Sequence, residues 1–178
     1  IRPYVGAALP QVKELFDKWI FRSIETSYAA TSAENGGTPL AAYILLSSAI
    51  DVIAGFYAGR SSLDERGLGK QYKKFITDYM TGYNPEKVYK FIRCSLVHNF
   101  IIGPNMALTH GSSNSNLHLK TIDGMDFKNF EDFFSSFKLA VKKYFDDVEQ
   151  SDDLKRKFIW RFNLGIPRDR KIVYKKEE

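Results

Sequence analysis

The sequence contains few of the residues that cross-link secreted proteins or bind metals. It has one cysteine in 178 residues, so no disulfide can form within the chain, and a reducing compartment is expected. The spacings of its three histidines, His98, His110 and His118, match no standard zinc-ligand set, and a second cysteine is lacking. The segment from Gly67 to Lys70 has neither the spacing of a Walker phosphate loop nor a preceding strand. We therefore expect no metal and no cofactor.

Long apolar runs are also lacking. The longest, Leu40 to Ile50, is shorter than the roughly 20 residues that cross a bilayer, and Asp51 follows it directly. The chain begins at Ile1 without an apolar segment behind it, so no secretory signal is expected. These features predict a cytoplasmic protein with no membrane partner.

Hydrophobic and aromatic residues are plentiful instead. The hydrophobic fraction is 44%, which is typical of a soluble globular protein, and the length predicts one domain over residues 1–178. Fourteen phenylalanines and ten tyrosines predict a core of helices with bulky side chains. The net charge of +5 permits an anionic partner such as RNA. From about residue 166 the chain is charged, and we expect a loose tail.

The spacing of apolar residues predicts an all-α protein, a bundle of five to six helices. The predicted helices cover residues 10–30, 39–58, 69–81, 85–100, 127–148 and 152–163. Their starts are marked by prolines or capping residues, namely Pro10, Thr38 with Pro39, Asn84 with Pro85, Asp126, and Ser151 with the two following aspartates. Residues 106–110 and 116–122 alternate weakly and predict a small β-hairpin insertion with a polar tip.

Two of these helices have distinct apolar patterns. The helix over 39–58 is apolar almost all round, which predicts that it is the most buried one. The first helix has an apolar face at helical spacing, formed by Val12, Leu15, Phe16, Trp19, Ile20 and Ile24.

An arginine and a histidine lie close together near the end of the fourth predicted helix. Arg93 and His98 have four residues between them, so an α-helix separates their Cα atoms by roughly 7.5 Å along its axis. They lie about 140° apart around that axis, and only the long arginine side chain can bring the two groups together. A permanent cation beside a group that titrates near neutrality suits phosphodiester chemistry.

The segment Arg93-Cys94-Ser95-Leu96-Val97-His98 resembles the signature of the HEPN superfamily, in which arginine and histidine are separated by four to six residues near a helix end. The resemblance extends over about residues 38–148. It implies an all-α bundle that forms a homodimer in which two copies of the motif face each other. It also implies a metal-independent endoribonuclease, often a toxin or a phage-defence component with an antitoxin or another protein partner.

The resemblance also implies roles for three residues. His98 is the expected general base and general acid, and Arg93 is expected to stabilise the negative charge that develops on the phosphorus centre. An acidic residue on the apolar helix often lies close to the motif arginine in this family. Asp51 occupies such a position, where an unpaired carboxylate is costly, so it is expected to orient Arg93 or His98.

Three further residues are candidates for substrate binding: Tyr89 and Asn99, which flank the motif, and Ser95, which lies inside it. Packing is an alternative role for each of them. Cys94 departs from the family, where asparagine, aspartate or histidine often follows the arginine. That departure favours the second function that the resemblance permits, a non-catalytic HEPN-like module that binds a nucleotide or a protein. Asp51 and the net positive charge favour the ribonuclease.

Overall fold

The computed structural model describes residues 2–30, 39–59 and 68–164. When each uninterrupted run of helix is counted once, these residues form seven helices, one of them a short 3₁₀ helix, and a three-stranded sheet. The prediction of a helical bundle with a small β insertion is therefore confirmed. The loop expected at 32–37, the cap at Thr38, most of the polar connection after Gly59 and the tail from 166 lie outside the described residues.

The helical segments have the following bounds, in chain order: α1 Arg2–Glu14, a π-helical segment Leu15–Phe21, α2 Arg22–Ala29, α3 Leu40–Ala58, α4 Leu68–Tyr79, α5 Pro85–Lys87, a second π-helical segment Val88–Cys94, α6 Ser95–Asn99, a 3₁₀ helix Ser112–Leu117, α7 Phe130–Gln150 and α8 Asp152–Leu164. The strands are β1 Met106–Thr109, β2 Thr121–Ile122 and β3 Met125–Asn129.

The apolar helix α3 lies at the centre of the bundle. Ten of its 19 residues are buried, and it packs against α2, α4, α7 and α8. By length and composition α3 also meets the requirement for crossing a bilayer, but 56% of its apolar window is buried inside the protein. Burial of that kind fits the core helix of a soluble protein, as the sequence predicts for residues 39–58.

Aromatic side chains fill the space between the helices. Phe16 lies edge-on to Phe21 and to Phe145, with ring centroids 5.7 and 5.8 Å apart. Phe21 in turn lies edge-on to Phe137 at 6.0 Å. Each such pair adds about 0.5–1.5 kcal/mol to what area burial contributes. This interlocked set holds the N-terminal helix on α7.

The N-terminal helix differs from the prediction at both its start and its face. It begins at Arg2, so Pro10 lies inside it and not in its first turn. Proline crowds the carbonyl four residues earlier, and that residue is Gly6, which has open space around it. The π-helical segment then lengthens one step of the buried series to five residues, from Phe16 to Phe21. Trp19, predicted to share the apolar face, is therefore 68% exposed.

The insertion is a sheet and not the predicted hairpin of 106–110 with 116–122. β1 pairs in parallel with β3, and β2 pairs antiparallel with β3, so β3 lies in the middle. Most of the second predicted arm is the 3₁₀ helix Ser112–Leu117. The tight turn lies at Asp123 and Gly124, both with positive φ, a dipeptide that favours two-residue hairpins.

The insertion is attached to the central helix through Tyr43. Its hydroxyl lies 3.0 Å from the carbonyl oxygen of Thr109 and 2.7 Å from that of Lys128. These two carbonyls belong to the paired strands β1 and β3, so one buried hydroxyl fixes both strands against α3.

The start of α7 corrects a second prediction. Asp126 does not cap this helix, because it lies in β3, where it pairs with Lys87 and Thr121. Asn129 is the cap, and its side-chain oxygen accepts a hydrogen bond from the Asp132 N–H at 3.3 Å. Strand pairing extends three residues past Asp126, so the helix begins at Phe130.

Two other predicted caps are confirmed. The Asn84 side chain accepts a hydrogen bond from the Lys87 N–H at 3.0 Å, and Pro85 follows as the first helical residue. The Ser151 hydroxyl accepts one from the Leu154 N–H at 3.3 Å at the start of α8. A lost cap of this kind costs about 0.5–2 kcal/mol.

Candidate functional site

Arg93 and His98 lie on one continuous helix, which we call the motif helix (residues 85–99). Its buried side chains are Val88, Ile92 and Leu96, which recur every four residues and pack into the core. Arg93 lies half-buried on the side of the helix that faces α3, and His98 lies exposed in the last turn. The Val88–Cys94 segment is π-helical, a local widening that often occurs at functional sites.

The chain fixes the end of the motif helix tightly. Phe100 follows His98 by two residues and adopts a left-handed conformation with φ 54°. Gly103 then donates its N–H to the carbonyl of Phe91 at 3.1 Å. A Cβ atom at Gly103 would lie 2.7 Å from the Cβ of Phe91, so only glycine permits this approach.

The Arg93 guanidinium bridges two helices. Its Nε donates to Asp51 Oδ2 on α3 at 2.9 Å, and its Nη1 lies 3.1 Å from His98 Nε2. The side chains of Arg93 and Asp51 are only 17% and 16% exposed. The structure thus brings together the three residues expected to do chemistry, and the long arginine side chain spans the separation between the two motif positions.

The protonation pattern of His98 follows from its partner. Arginine has donors and no acceptor, so Arg93 Nη1 donates and His98 Nε2 accepts. In this arrangement the imidazole is neutral and its proton is on Nδ1. The His98 side chain is exposed at the surface, and its Nε2 accepts the hydrogen bond from the Arg93 guanidinium.

Burial and charge act in opposite directions on the Asp51–Arg93 pair. Burial alone lowers the pKa of Arg93, but the hydrogen bond and charge of Asp51 outweigh it and raise that pKa above its ordinary value. Burial raises the pKa of Asp51 despite the opposing effect of Arg93. Asp51 Oδ1 is buried and has no hydrogen-bond partner within the described part of the chain. The guanidinium therefore remains charged and oriented.

Tyr89 supports the guanidinium from a third side. The Arg93 Cζ lies 5.9 Å from the centroid of the Tyr89 ring, which in turn packs against Tyr72 at 5.4 Å. Cys94 is among the groups that raise the pKa of both Tyr89 and Arg93. Cys94, which departs from the family pattern, is therefore a neighbour of the site.

Ser95 and Asn99 differ in their surroundings. The Ser95 hydroxyl donates a hydrogen bond to the carbonyl of Lys90 at 3.1 Å, so its partner is the backbone of its own helix. Asn99 is exposed in the last turn beside His98. Of the candidate substrate-binding residues, Asn99 is the one free to meet a ligand, and Tyr89 acts through the arginine.

The other two histidines contact residues outside the candidate site. His118 Nδ1 accepts from the Asn129 N–H at 3.0 Å, and its Nε2 lies 2.7 Å from the Tyr83 hydroxyl. His110 lies edge-on to Tyr28 at 6.3 Å. Among the described residues, no group of three or more His, Cys, Asp and Glu side chains could hold a metal ion.

The sequence did not reveal the surface beside this site. Trp19 lies over a groove between the N-terminal helix and α3, opposite Leu45, Ser48 and Val52. Two apolar residues beyond the motif helix, Phe100 and Ile101, are 70% and 66% exposed. Neither the groove nor this exposed apolar pair can be predicted from the sequence, because both depend on how distant segments pack.

Comparison of the chain with protein-family models, with curated proteins and with solved structures gives no match. Fold and site together define an all-α bundle with an arginine held between a buried carboxylate and an exposed imidazole. Any functional assignment therefore depends on what this geometry can do.

Proposed function

We propose that the protein is a HEPN-like, metal-independent endoribonuclease that cleaves RNA through the ribose 2′-hydroxyl. The observation that carries the proposal is the position of Arg93, which is held by Asp51 and in contact with the basic nitrogen of His98. A permanent cation and a neutral imidazole at the surface are the two groups that this reaction needs. The net charge of +5 suits a polyanionic substrate.

The contact between Arg93 and His98 also suggests how RNA starts the reaction. A phosphate competes for the Nη groups of Arg93, since a guanidinium binds two phosphate oxygens by a forked pair of hydrogen bonds. Asp51 keeps Nε in place during this exchange. Once Nη1 turns to the phosphate, the lone pair on His98 Nε2 is free to accept a proton.

The reaction balances as follows. His98 Nε2 takes the 2′-hydroxyl proton, the 2′-oxygen bonds to phosphorus, and the bond from phosphorus to the 5′-oxygen breaks. Arg93 stabilises the added negative charge on the phosphorane. An imidazolium protonates the leaving 5′-oxygen. The products are a 2′,3′-cyclic phosphate and a free 5′-hydroxyl.

A homodimer supplies a second histidine for the two proton transfers. The exposed pair Phe100 and Ile101 directly follows the motif helix, and a second copy that covers them lies beside His98. We place this enzyme in the cytoplasm, as a toxin or phage-defence component with an antitoxin or another protein partner. This part of the proposal is drawn from the sequence resemblance.

One observation favours a second function, a non-catalytic module that binds a nucleotide or a protein. The Arg93 contact occupies His98 Nε2, and Cys94 stands where a polar residue often follows the arginine in the family. In such a module the same cation binds a phosphate, and no proton is transferred.

The test is an RNA cleavage assay in the presence of EDTA, on wild type, His98→Ala, Arg93→Ala and Arg93→Lys. Loss of His98 should slow cleavage about 10²–10⁴-fold, the usual contribution of general acid–base catalysis. Arg93→Ala should lose a comparable factor, and Arg93→Lys should not restore it, because a point charge cannot fork onto two oxygens. His110→Ala, a histidine outside the site, is the matched control and should keep wild-type activity.

The same assay separates the two functions. A 2′-deoxyribose at the scissile position should abolish cleavage, because the nucleophile is then missing. If wild type binds RNA without cleaving it, the enzyme is rejected and the binding module stands. If His98→Ala cleaves as fast as wild type, His98 is not the general base and the proposed mechanism is rejected.

A further inference from the structure

We propose that the groove under Trp19 binds the single-stranded RNA that adjoins the scissile phosphate, with one base stacked on the Trp19 indole and a phosphate on Arg22. This inference rests on the proposed function, because it names the form of RNA that the site takes and the residues that hold it. It goes beyond the motif, since Trp19 and Arg22 lie on the N-terminal helix.

The groove has an aromatic surface that nothing covers in the described residues. Trp19 is 68% exposed, although tryptophan buries well in proteins. Its exposure follows from the π-helical segment Leu15–Phe21, which turns it away from the core. On the α3 side the groove is lined by Leu45, Ser48, Ala49 and Val52, and on the helix side by Trp19, Ile20, Ser23 and Ile24.

A second depression adjoins the first, and most of its lining residues are polar or basic. The two share Trp19 and Ser23, and the second adds Lys18, Arg22, Thr26 and Ser27. Among the described lining residues of both depressions there are two cations and no carboxylate. Lys18 pairs with Glu14 at 2.8 Å, whereas Arg22 has no ion pair within the described part of the chain. Hydroxyls and a free guanidinium beside an indole suit a chain of phosphates and bases.

The groove leads to the motif along one ridge of α3. Leu45, Ser48 and Asp51 follow each other at three-residue intervals, so each lies about 60° further round α3 than the one before, and Asp51 lies about 120° round the axis from Leu45. The three residues form an oblique row from the groove towards the motif. A rise of about 1.5 Å per residue places Leu45 about 9 Å from Asp51 along the axis. Asp51 contacts Arg93, so an extended strand that lies along this ridge reaches both Trp19 and the guanidinium.

Single-stranded RNA fits this surface better than a protein does. Unstacked bases bind to exposed aromatic rings with little dependence on sequence, and the backbone follows a basic groove. A second copy of the chain seated here would have to place one of its own carboxylates on the Arg22 guanidinium, because the lining residues include none, whereas every nucleotide of RNA carries a phosphate. The groove therefore takes a polyanion with flat, apolar faces.

The test measures binding apart from cleavage. A fluorescein-labelled oligoribonucleotide without secondary structure is titrated against His98→Ala protein by fluorescence anisotropy. Adding Trp19→Ala should weaken binding about 5–150-fold, the range that corresponds to one stacked base. Trp160→Ala is the matched control, because Trp160 is 54% exposed on α8 and lies outside both depressions, and it should leave binding unchanged. Arg22→Gln should reduce the slope of log binding constant against log salt concentration by about one, because one fewer phosphate is neutralised.

Intrinsic fluorescence gives a second readout that does not need activity. In a Trp160→Phe protein the remaining indole is Trp19, and unlabelled RNA should quench it. In a Trp19→Phe protein the remaining indole is Trp160, and RNA should leave it unchanged. Quenching without any cleavage by wild type would reject the enzyme and keep the groove. Cleavage by wild type with equal RNA affinity in the Trp19→Ala protein would reject the groove and keep the enzyme. A shift of Trp19→Ala from dimer to monomer in light scattering would assign the groove to a second copy and overturn the inference.

Discussion

Arg93 has three neighbours, and each sets a different property of the side chain. Asp51 fixes Nε and its charge, Tyr89 supports the face of the guanidinium, and His98 receives a hydrogen bond from Nη1. A lysine has one charged centre and no planar face, so it cannot maintain these contacts together. The residue is therefore specified by geometry as well as by charge.

The partner of Arg93 gives the first prediction. Asp51→Asn keeps the volume and removes the charge, so it leaves a largely buried cation without its carboxylate. The free energy of unfolding should fall by about 1.5–3 kcal/mol, the usual contribution of a hydrogen bond to a charged group. Urea denaturation monitored by circular dichroism measures the change.

The matched control is Asp153→Asn, which removes the same charge from surface ion pairs with Arg156 and Lys157 in which the aspartate is 53% exposed. That change should cost less than about 1 kcal/mol. Equal losses at Asp51 and Asp153 would mean that the Asp51–Arg93 pair is solvated in solution. A double variant with Arg93→Gln should then show no coupling, whereas a buried pair should show it.

At the scale of elements, the start of α7 depends on a histidine from the insertion. His118 Nδ1 accepts from the N–H of Asn129, and Asn129 caps the helix. Because Nδ1 is an acceptor in this bond, His118 is neutral in the fold. Burial lowers the pKa of His118 below its ordinary value, and the positive charge of Lys128 adds to this, while Asp132 opposes it.

This arrangement predicts a loss of stability in mild acid. A histidine whose pKa is lower in the folded state contributes its full stability above the pKa of the unfolded chain, about 6.5. The contribution is lost as the pH falls below that value towards the folded pKa, because the unfolded chain binds the proton first. In that window the free energy of unfolding of wild type should fall relative to His118→Gln by at most about 1.4 kcal/mol per pH unit.

Thermal or urea melts between pH 5 and 8 would measure this difference. His110→Gln is the control, and its melts should keep the pH dependence of wild type. If His118→Gln and wild type lose stability in parallel from pH 7 to 5, the assignment of a neutral His118 beside the cap is wrong.

The sequence predicted those elements whose signals are local. Asn84 with Pro85 marks the start of the motif helix, and Ser151 marks α8, because a cap acts within one turn. Trp19 was assigned to the wrong face, because an apolar series read at α-helical spacing cannot reveal a π-helical segment. The hairpin prediction is wrong because weak alternation does not locate a turn, which lies at Asp123 and Gly124.

The candidate site likewise contains residues that the sequence predicts and a feature that it does not. Arg93 and His98 were found together since they are neighbours in the chain, and Asp51 was found because a carboxylate inside an apolar helix needs a partner. The groove at Trp19 could not be predicted, because it arises where the N-terminal helix and α3 pack together, and no local pattern reports that contact.

At the scale of the whole molecule, the apolar residues after the motif helix predict the assembly. Phe100 and Ile101 are exposed side by side, beside the residues that the proposed reaction uses. Light scattering at micromolar concentration should give twice the chain mass of 20.4 kDa. Phe100→Asp should shift the protein to the monomer and reduce cleavage, since aspartate accepts the left-handed backbone but does not bury.

Leu139→Asp is the control for this substitution, because Leu139 is also 66% exposed but lies on α7, away from the motif helix. It should leave the mass unchanged. A monomer at high concentration in the wild type would remove the two-histidine site, and cleavage by such a monomer would assign both proton transfers to one histidine.

The ion pair that holds the site joins residues 42 positions apart, and this has a consequence for synthesis. Asp51 leaves the ribosome well before Arg93, and α7, which also packs on α3, emerges last of the three. Domains fold as units, so the guanidinium is not positioned until this late helix docks. A chain that cleaves RNA would therefore stay inert during synthesis until α7 has emerged and docked, although the ribosome is the RNA nearest to it.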